Sequence, residues 1–107
     1  MFHKIGTPHG LPHDPFKSCV VPRPIGWISS LSADGTVNLA PYSFFNALAG
    51  EPPMVMFSSN GKQPFGPKDS LANIEATGEF VCSMATWDLR DSMSATSAAE
   101  RPEVDEF

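Results

Sequence analysis

Basic residues are scarce in this sequence: seven Lys and Arg stand against twelve Asp and Glu, a formal net charge of −5. That balance argues against non-specific binding to nucleic acid or to an anionic membrane surface. It also leaves any phosphate to be met by a few well-placed donors, because no basic face is available. No apolar run approaches the roughly 20 residues of a membrane-spanning helix. Met1 to Pro15 carries three histidines and three prolines but no apolar core of a secretory signal, so a cytoplasmic location is expected. Cys19 and Cys82 are the only cysteines. Without an export signal they read as reduced core residues rather than a disulfide.

Catalytic signatures are missing as well. There is no Gly-x-Ser-x-Gly, no paired carboxylate, no zinc-ligand spacing, and no Walker A or Rossmann glycine pattern. His9 and His13 have helical i, i+4 spacing, but Gly10 and Pro12 lie between them and spoil a helical pair, so no metal site is expected. No internal repeat or low-complexity tract is visible. Small-molecule ligands remain as partners, without nucleic acid and without membrane.

What the chain does contain is core-forming material: 41% hydrophobic and 10% aromatic residues in 107 positions, enough for one domain. Eleven prolines and eight glycines favour short strands and turns over a helical bundle. Residues 1–18 read as an irregular N-terminal arm, and residues 19–107 as the domain. Pro22 and Pro24 confine the segment before Ile25 to an extended entry, and Arg23 between them is rigidly presented. Gly26 to Leu31 then reads as a strand, with Trp27, Ser29 and Leu31 on one side and Ile28 and Ser30 on the other. Asp34-Gly35 predicts a type I′ hairpin turn with positive φ at both residues, leading into a returning strand over Thr36 to Ala40. Pro41, lacking an N–H, is expected to end the pairing there.

Met54 to Ser59 is a continuous apolar run, expected to be a strand buried on both faces. Asn60 to Pro67 reads as loop. A helix follows with Asp69 as N-cap, Leu71 and Ile74 on one face and Gly78 at its C-terminal end. Glu79 to Ala85 predicts a further strand with Phe80, Cys82 and Met84 on its core face. A last helix is expected from about Asp88 to Ala99, with Leu89, Met93 and Thr96 on a stripe. The count is about four strands and two helices, an order that favours an antiparallel sheet over alternating βαβ units.

The most informative stretch is Asn38 to Asn46, N-L-A-P-Y-S-F-F-N. It packs three aromatic rings, two carboxamides, a hydroxyl and a proline into nine residues. A concave site for a flat, partly polar ligand needs both rings and hydrogen-bonding groups. The hairpin places Ser29 and Ser30 beside this stretch, and strand alternation allows only one of their side chains to line a shared pocket. Lys68 and Ser70, at the start of the predicted helix, offer an ammonium, a hydroxyl and amide donors at the positive end of the helix dipole.

R-P-I-G-W-I-S-S with its following D-G turn, N-L-A-P-Y-S-F-F-N, E-P-P-M-V-M-F-S-S, K-D-S-L-A-N-I and G-E-F-V-C-S-M-A occur in order over roughly Val20 to Ala85. With these five pieces the chain resembles the flavin reductase-like FMN-binding proteins, a family that includes flavoredoxin-like and NAD(P)H:flavin oxidoreductase members. The tail through Asp105-Glu106-Phe107 is similar too. The resemblance implies a mainly β, α+β fold: an antiparallel split β-barrel of the FMN-binding type with two short helices. Members run close to twice this length, so the chain looks like the N-terminal half, or a shortened relative, and its barrel is expected to be incomplete.

The resemblance also implies FMN as cofactor and NAD(P)H as co-substrate. Hydride would pass to flavin and electrons on to a second acceptor. No side-chain acid, base or nucleophile is required, because the chemistry lies in the flavin ring. Implied for the ring and ribityl chain are Ala40, Pro41, Tyr42, Ser43, Phe44, Phe45 and Asn46, with Ser29 and Ser30 alongside. Implied for the phosphate are Lys68, Asp69 and Ser70 together with Ser58 and Ser59. A homodimer with FMN near its interface is implied as well. The alternatives are a non-catalytic FMN-binding electron carrier and a pyridoxamine-phosphate-oxidase-like split-barrel binding protein.

Overall fold

The computed structural model describes residues 4–61 and 66–98. The sequence readings that involve His3, Pro64, Ala99 and the tail through Phe107 lie outside these residues. The strands are β1 (Gly26–Leu31), β2 (Val37–Tyr42), β3 (Phe45–Gly50), β4 (Pro53–Phe57) and β5 (Val81–Ser83). The helices are α1 (Pro15–Cys19), α2 (Asp69–Thr77) and α3 (Arg90–Ala95), the last preceded by a 3-10 turn at Trp87–Leu89. All pairing among these five strands is antiparallel. β1 is central in a sheet of order β2-β1-β5, and β3 and β4 form a separate ribbon, so the described strands do not close a barrel.

The β1–β2 hairpin forms where Asp34-Gly35 places it, by a different turn from the one the dipeptide suggests. Gly35 has φ +90°, but among the described residues no other residue type has positive φ, so Asp34 does not. Gly35 N–H donates to Ser32 O at 3.0 Å and Ser32 N–H to Thr36 O at 2.9 Å. This is the bonding of a three-residue loop closed by a left-handed glycine. The Asp34 carboxylate accepts from the Ser32 hydroxyl, and from Thr36 Oγ1 at 3.1 Å and Thr36 N–H at 3.3 Å. These bonds, the Ser32 one foremost, hold its pKa below the ordinary carboxylate value. A depressed folded-state pKa means that the contribution is present above the unfolded value and lost as pH falls through the folded one. Amide exchange at Gly35 and Thr36, relative to an unstructured peptide, is therefore expected to quicken as the carboxylate is protonated. Asp34→Asn should remove that pH dependence.

Pro41 does not end the pairing. The register runs from Leu31↔Val37 to Gly26↔Tyr42, with Trp27 opposite Pro41. Counting alternation from the hydrogen-bonded Ser32/Thr36 pair, Trp27/Pro41 is a non-hydrogen-bonded pair. The proline nitrogen therefore faces away from β1, on the edge strand, where a missing donor costs nothing.

β3 is the strand that the sequence reading omits. It runs back against β4 through the Glu51-Pro52 turn, with Phe45 opposite Phe57 and a register shift between Ala47 and Ala49. β4 was expected to be buried on both faces. Met54, Val55 and Met56 are instead exposed, as is Leu48 on β3, because no other described element covers the ribbon.

The ribbon joins the sheet through rings. Phe57 sits 4.7 Å from the Tyr42 ring and 5.3 Å, edge-on, from Phe80. Phe45 lies directly on Gly26, where an added Cβ would fall 2.5 Å from its Cδ2 and 2.9 Å from its Cγ. Gly26→Ala is expected to destabilise the fold by about 1–3 kcal/mol through overpacking, read from urea unfolding. Gly50→Ala, with nothing within 4 Å of its Cβ, is the matched control.

The hydrophobic core is small: Trp27, Ile28, Leu39 and Tyr42 are its buried members among the described residues. Cys82 and Met84 were expected on a core face, yet both are exposed, and Cys19 is exposed as well. β5 is shorter than Glu79–Ala85, and its partners on β1 are Trp27, Ile28 and Ser29 alone. The last helix begins at Arg90 rather than Asp88 and ends at Ala95, with Thr96 as C-cap. α1 begins inside the segment read as irregular. Asp14 caps it by accepting from Phe16 N–H at 3.0 Å, and Pro15 occupies the first turn. Among the described residues no helix is long and apolar enough to cross a membrane.

Candidate functional site

α2 organises the site. Lys68, in extended conformation, is the N-cap, and Asp69 is the first helical residue, one position inside the helix from its expected role. An acidic side chain in the first turn still suits the dipole. Gly78 closes the helix at φ 77°, its N–H donating to Ile74 O.

The inward face of α2 is not the Leu71/Ile74 stripe. Its buried residues are Ser70 and Asn73, while Leu71 is exposed. The Ser70 hydroxyl donates to Asn38 Oδ1 at 2.6 Å, and Asn73 Nδ2 donates to Ser30 Oγ at 3.2 Å. The Ser70 hydroxyl, expected on a phosphate, is thus turned toward β2, and Ser30 Oγ is turned toward the helix.

This docking sets the start of α2 against the edge of β2. A cleft of about 200 Å³ results, lined by Ala40, Pro41 and Tyr42 of β2, Lys68, Asp69 and Ser70 of the helix start, and Thr96 to Ala98 after α3. Lys68 Nζ stands 5.3 Å from the centroid of the buried Tyr42 ring. Ala40 to Tyr42 of the predicted ring set and Lys68 to Ser70 of the predicted phosphate set therefore line one cleft, although they lie far apart in the sequence.

The remaining predicted residues fall elsewhere. Ser29 and Ser30 border a separate cleft of about 330 Å³ with Phe80 and Val81. Ser43 is half-buried at the bend between β2 and β3. Phe44 lies under the Arg23 guanidinium, 5.2 Å from the ring centroid. Phe45 packs on Gly26. Asn46 is exposed opposite Met56 on the ribbon. Ser58 N–H donates to Phe44 O at 2.8 Å and its hydroxyl to Asn60 at 3.1 Å. Ser59 Oγ is buried without a hydrogen-bond partner among the described residues, a state that native structures rarely leave without a ligand or water.

Two features escape the sequence reading. Asn73 is read only as one residue of K-D-S-L-A-N-I, yet it forms half of the buried polar seam. Thr96 is taken for a helix-stripe residue, yet its Oγ1 accepts from Trp27 Nε1 at 3.0 Å and donates to Met93 O at 2.8 Å. That ties the segment after α3 to the sheet and makes it a wall of the cleft. No apolar periodicity signals either. Among the described residues no three His, Cys, Asp or Glu side chains gather as a metal site would require.

These residues fit part of a flavin nucleotide. An ammonium beside a helix start suits a phosphate, and rings and small residues suit a flat heterocycle. The cleft is nevertheless smaller than the roughly 300–1,000 Å³ of ordinary small-molecule sites. What the chain builds is one wall.

Comparison with known proteins identifies the family and the fold. The family model for the flavin reductase like domain matches residues 18–107. An uncharacterized protein of Aquifex aeolicus is 44% identical over 88 residues, which is 82% of this chain and 45% of that protein. The uncharacterized protein YwrF of Bacillus subtilis is 37% identical over 91 residues, 82% of this chain and 42% of that one. The chain thus spans a little under half the length of these curated relatives. Among solved structures, the 2-nitrobenzoate 2-nitroreductase NbaA of Pseudomonas fluorescens superposes with a TM-score of 0.76 at 28% identity, over 92% of this chain and 47% of that one. Nitrilotriacetate monooxygenase component B of Bacillus cereus gives 0.77 at 24% identity over 99% and 55%, and shares the fold.

Proposed function

The chain belongs to the flavin reductase-like family, and from that premise we propose that it holds FMN, takes hydride from NADH or NADPH and passes the electrons to a second acceptor. The observation that carries this reading is the cleft joining Ala40–Tyr42 to Lys68–Ser70. Bound flavin would supply the redox chemistry itself, accepting hydride and releasing electrons. The chain's own residues bind and orient. Tyr42 presents a ring fixed by Phe57, Lys68 sets a positive charge where the phosphate lies, and Ala40 and Pro41 allow close approach.

Two copies of the chain are proposed to associate through the ribbon, with FMN near the interface. The exposed Leu48, Met54, Val55 and Met56 support this, since apolar surface of this extent on one element favours a cover. A monomer by light scattering at micromolar concentration would count against the dimer.

The test of the function is a titration of the chain with FMN, followed by anaerobic addition of NADH or NADPH. Quenched flavin fluorescence, then bleaching of the yellow colour, is the expected pair of results. Binding without bleaching would reduce the protein to an electron carrier, and no binding at all would sink the reading.

A further inference from the structure

The face of α2 that meets the sheet is polar, where an apolar face would dock at lower desolvation cost. Ser70 is 1% exposed, Ser30 5%, Asn73 8% and Asn38 9%, while Leu71 on the same helix is 38% exposed. Such bonds add little net stability, because each replaces a bond to water. Each is satisfied in one geometry only, and an unmet partner in a buried seam is costly. A helix on an apolar face can roll or slide. This one is held by two directional bonds, Ser70 to Asn38 and Asn73 to Ser30, and its two sheet partners are themselves directly opposed in the β1–β2 register.

We infer that the Asn38–Ser70 and Ser30–Asn73 pairs form a positioning clamp. It fixes the placement of α2 so that Lys68 faces the cleft beside Tyr42, and it thereby governs discrimination for the phosphate of a flavin nucleotide. This rests on the site reading above, in which the phosphate meets Lys68. None of the four side chains has to touch the ligand for the effect. Lys68 immediately precedes the helix, so a small rotation of α2 moves the ammonium off the Tyr42 ring and away from the cleft.

The test compares FMN with riboflavin, which share ring and ribityl chain and differ by the phosphate. Both are titrated by fluorescence against the full chain and the double variant Ser30→Ala/Asn73→Leu. Replacing both partners of a buried bond by apolar groups is close to neutral for stability. The clamp predicts an unfolding midpoint near that of the parent, with the preference for FMN over riboflavin lowered about fivefold as the charge-assisted contact is misplaced. Ser30→Thr keeps the hydroxyl and should keep the preference. Leu39→Ala, which destabilises the sheet while keeping all four clamp side chains, should weaken both ligands together. An unchanged preference in the double variant, with the preference lost in Lys68→Ala, overturns the clamp and leaves the site reading standing. An unchanged preference in Lys68→Ala overturns the site reading itself, and the clamp with it. If the double variant does not fold, Asn73→Ser carries the same prediction, since its shorter hydroxyl falls back from Ser30 Oγ while keeping the position polar.

Discussion

Replacing Lys68 with alanine is expected to weaken FMN binding by about 10- to 100-fold and to leave riboflavin binding within about twofold. The estimate follows from a charge-assisted hydrogen bond in a half-buried setting, worth about 1.5–3 kcal/mol when a charged group is involved. Three features make Lys68 the residue on which the phosphate depends. The chain carries a net charge of −5, so the phosphate enters an unfavourable field and needs a local cation. Asp69 beside it contributes the wrong sign. The Ser70 hydroxyl, another donor that the sequence suggests, is spent on Asn38. What remains on this side of the cleft is Lys68 and the helix start behind it. Lys68→Arg retains the charge but not the point geometry and is expected to lose only part of the affinity. Raising the salt concentration should erode the difference between FMN and riboflavin in the parent and not in Lys68→Ala. Equal losses for FMN and riboflavin in Lys68→Ala would place the phosphate elsewhere.

The parts of the fold that were legible in the sequence are those written in local chemistry. Gly35 and Gly78 mark a turn and a helix end because each occupies a left-handed conformation that other residues resist. β1 follows from β-branched and aromatic alternation. β3 was not legible: F-N-A-L-A-G carries two alanines and a glycine, poor strand formers, and it is a strand only because the Glu51-Pro52 turn folds it against β4. The orientation of α2 was not legible for a related reason. Apolar spacing puts Leu71 and Ile74 on one face, whereas the seam that holds the helix is made of hydroxyls and carboxamides whose partners lie on the strands. Polar complementarity between distant positions has no period. The candidate site divides along the same line. Its residue types were visible in Asn38 to Asn46 and in Lys68 to Ser70, but only docking of α2 shows that Ala40 to Tyr42 face the helix start while Ser29 and Ser30 border a different cleft. The run M-V-M-F was read as a doubly buried strand because its composition asks for a cover. The described elements do not provide one, and this is the physical basis for proposing association there.

Ile28→Ala is expected to have the largest effect on folding, about 2–5 kcal/mol of lost stability in urea unfolding. Ile28 is 0% exposed, and it lies on the only one of the described strands that is paired on both sides, opposite Ala40 on β2 and Cys82 on β5. Neither neighbour is large enough to fill the cavity that truncation leaves. The surrounding sheet cannot collapse without breaking the ladder that aligns the Ser30–Asn73 bond. A domain of this size commonly has about 5–15 kcal/mol in total, so the variant should be partly unfolded under mild conditions. Leu48→Ala on the exposed ribbon is the contrasting case. In a monomer it should cost no more than about 0.5 kcal/mol. If two copies meet through the ribbon, its cost instead grows with protein concentration, because association stabilises the folded state by mass action. Unfolding measured at dilute and concentrated protein therefore separates the two residues. The Ile28→Ala loss should be the same at both concentrations, and the Leu48→Ala loss should appear only at the higher one. A Leu48→Ala cost that is independent of concentration would mean that the ribbon's apolar face is covered within a single chain.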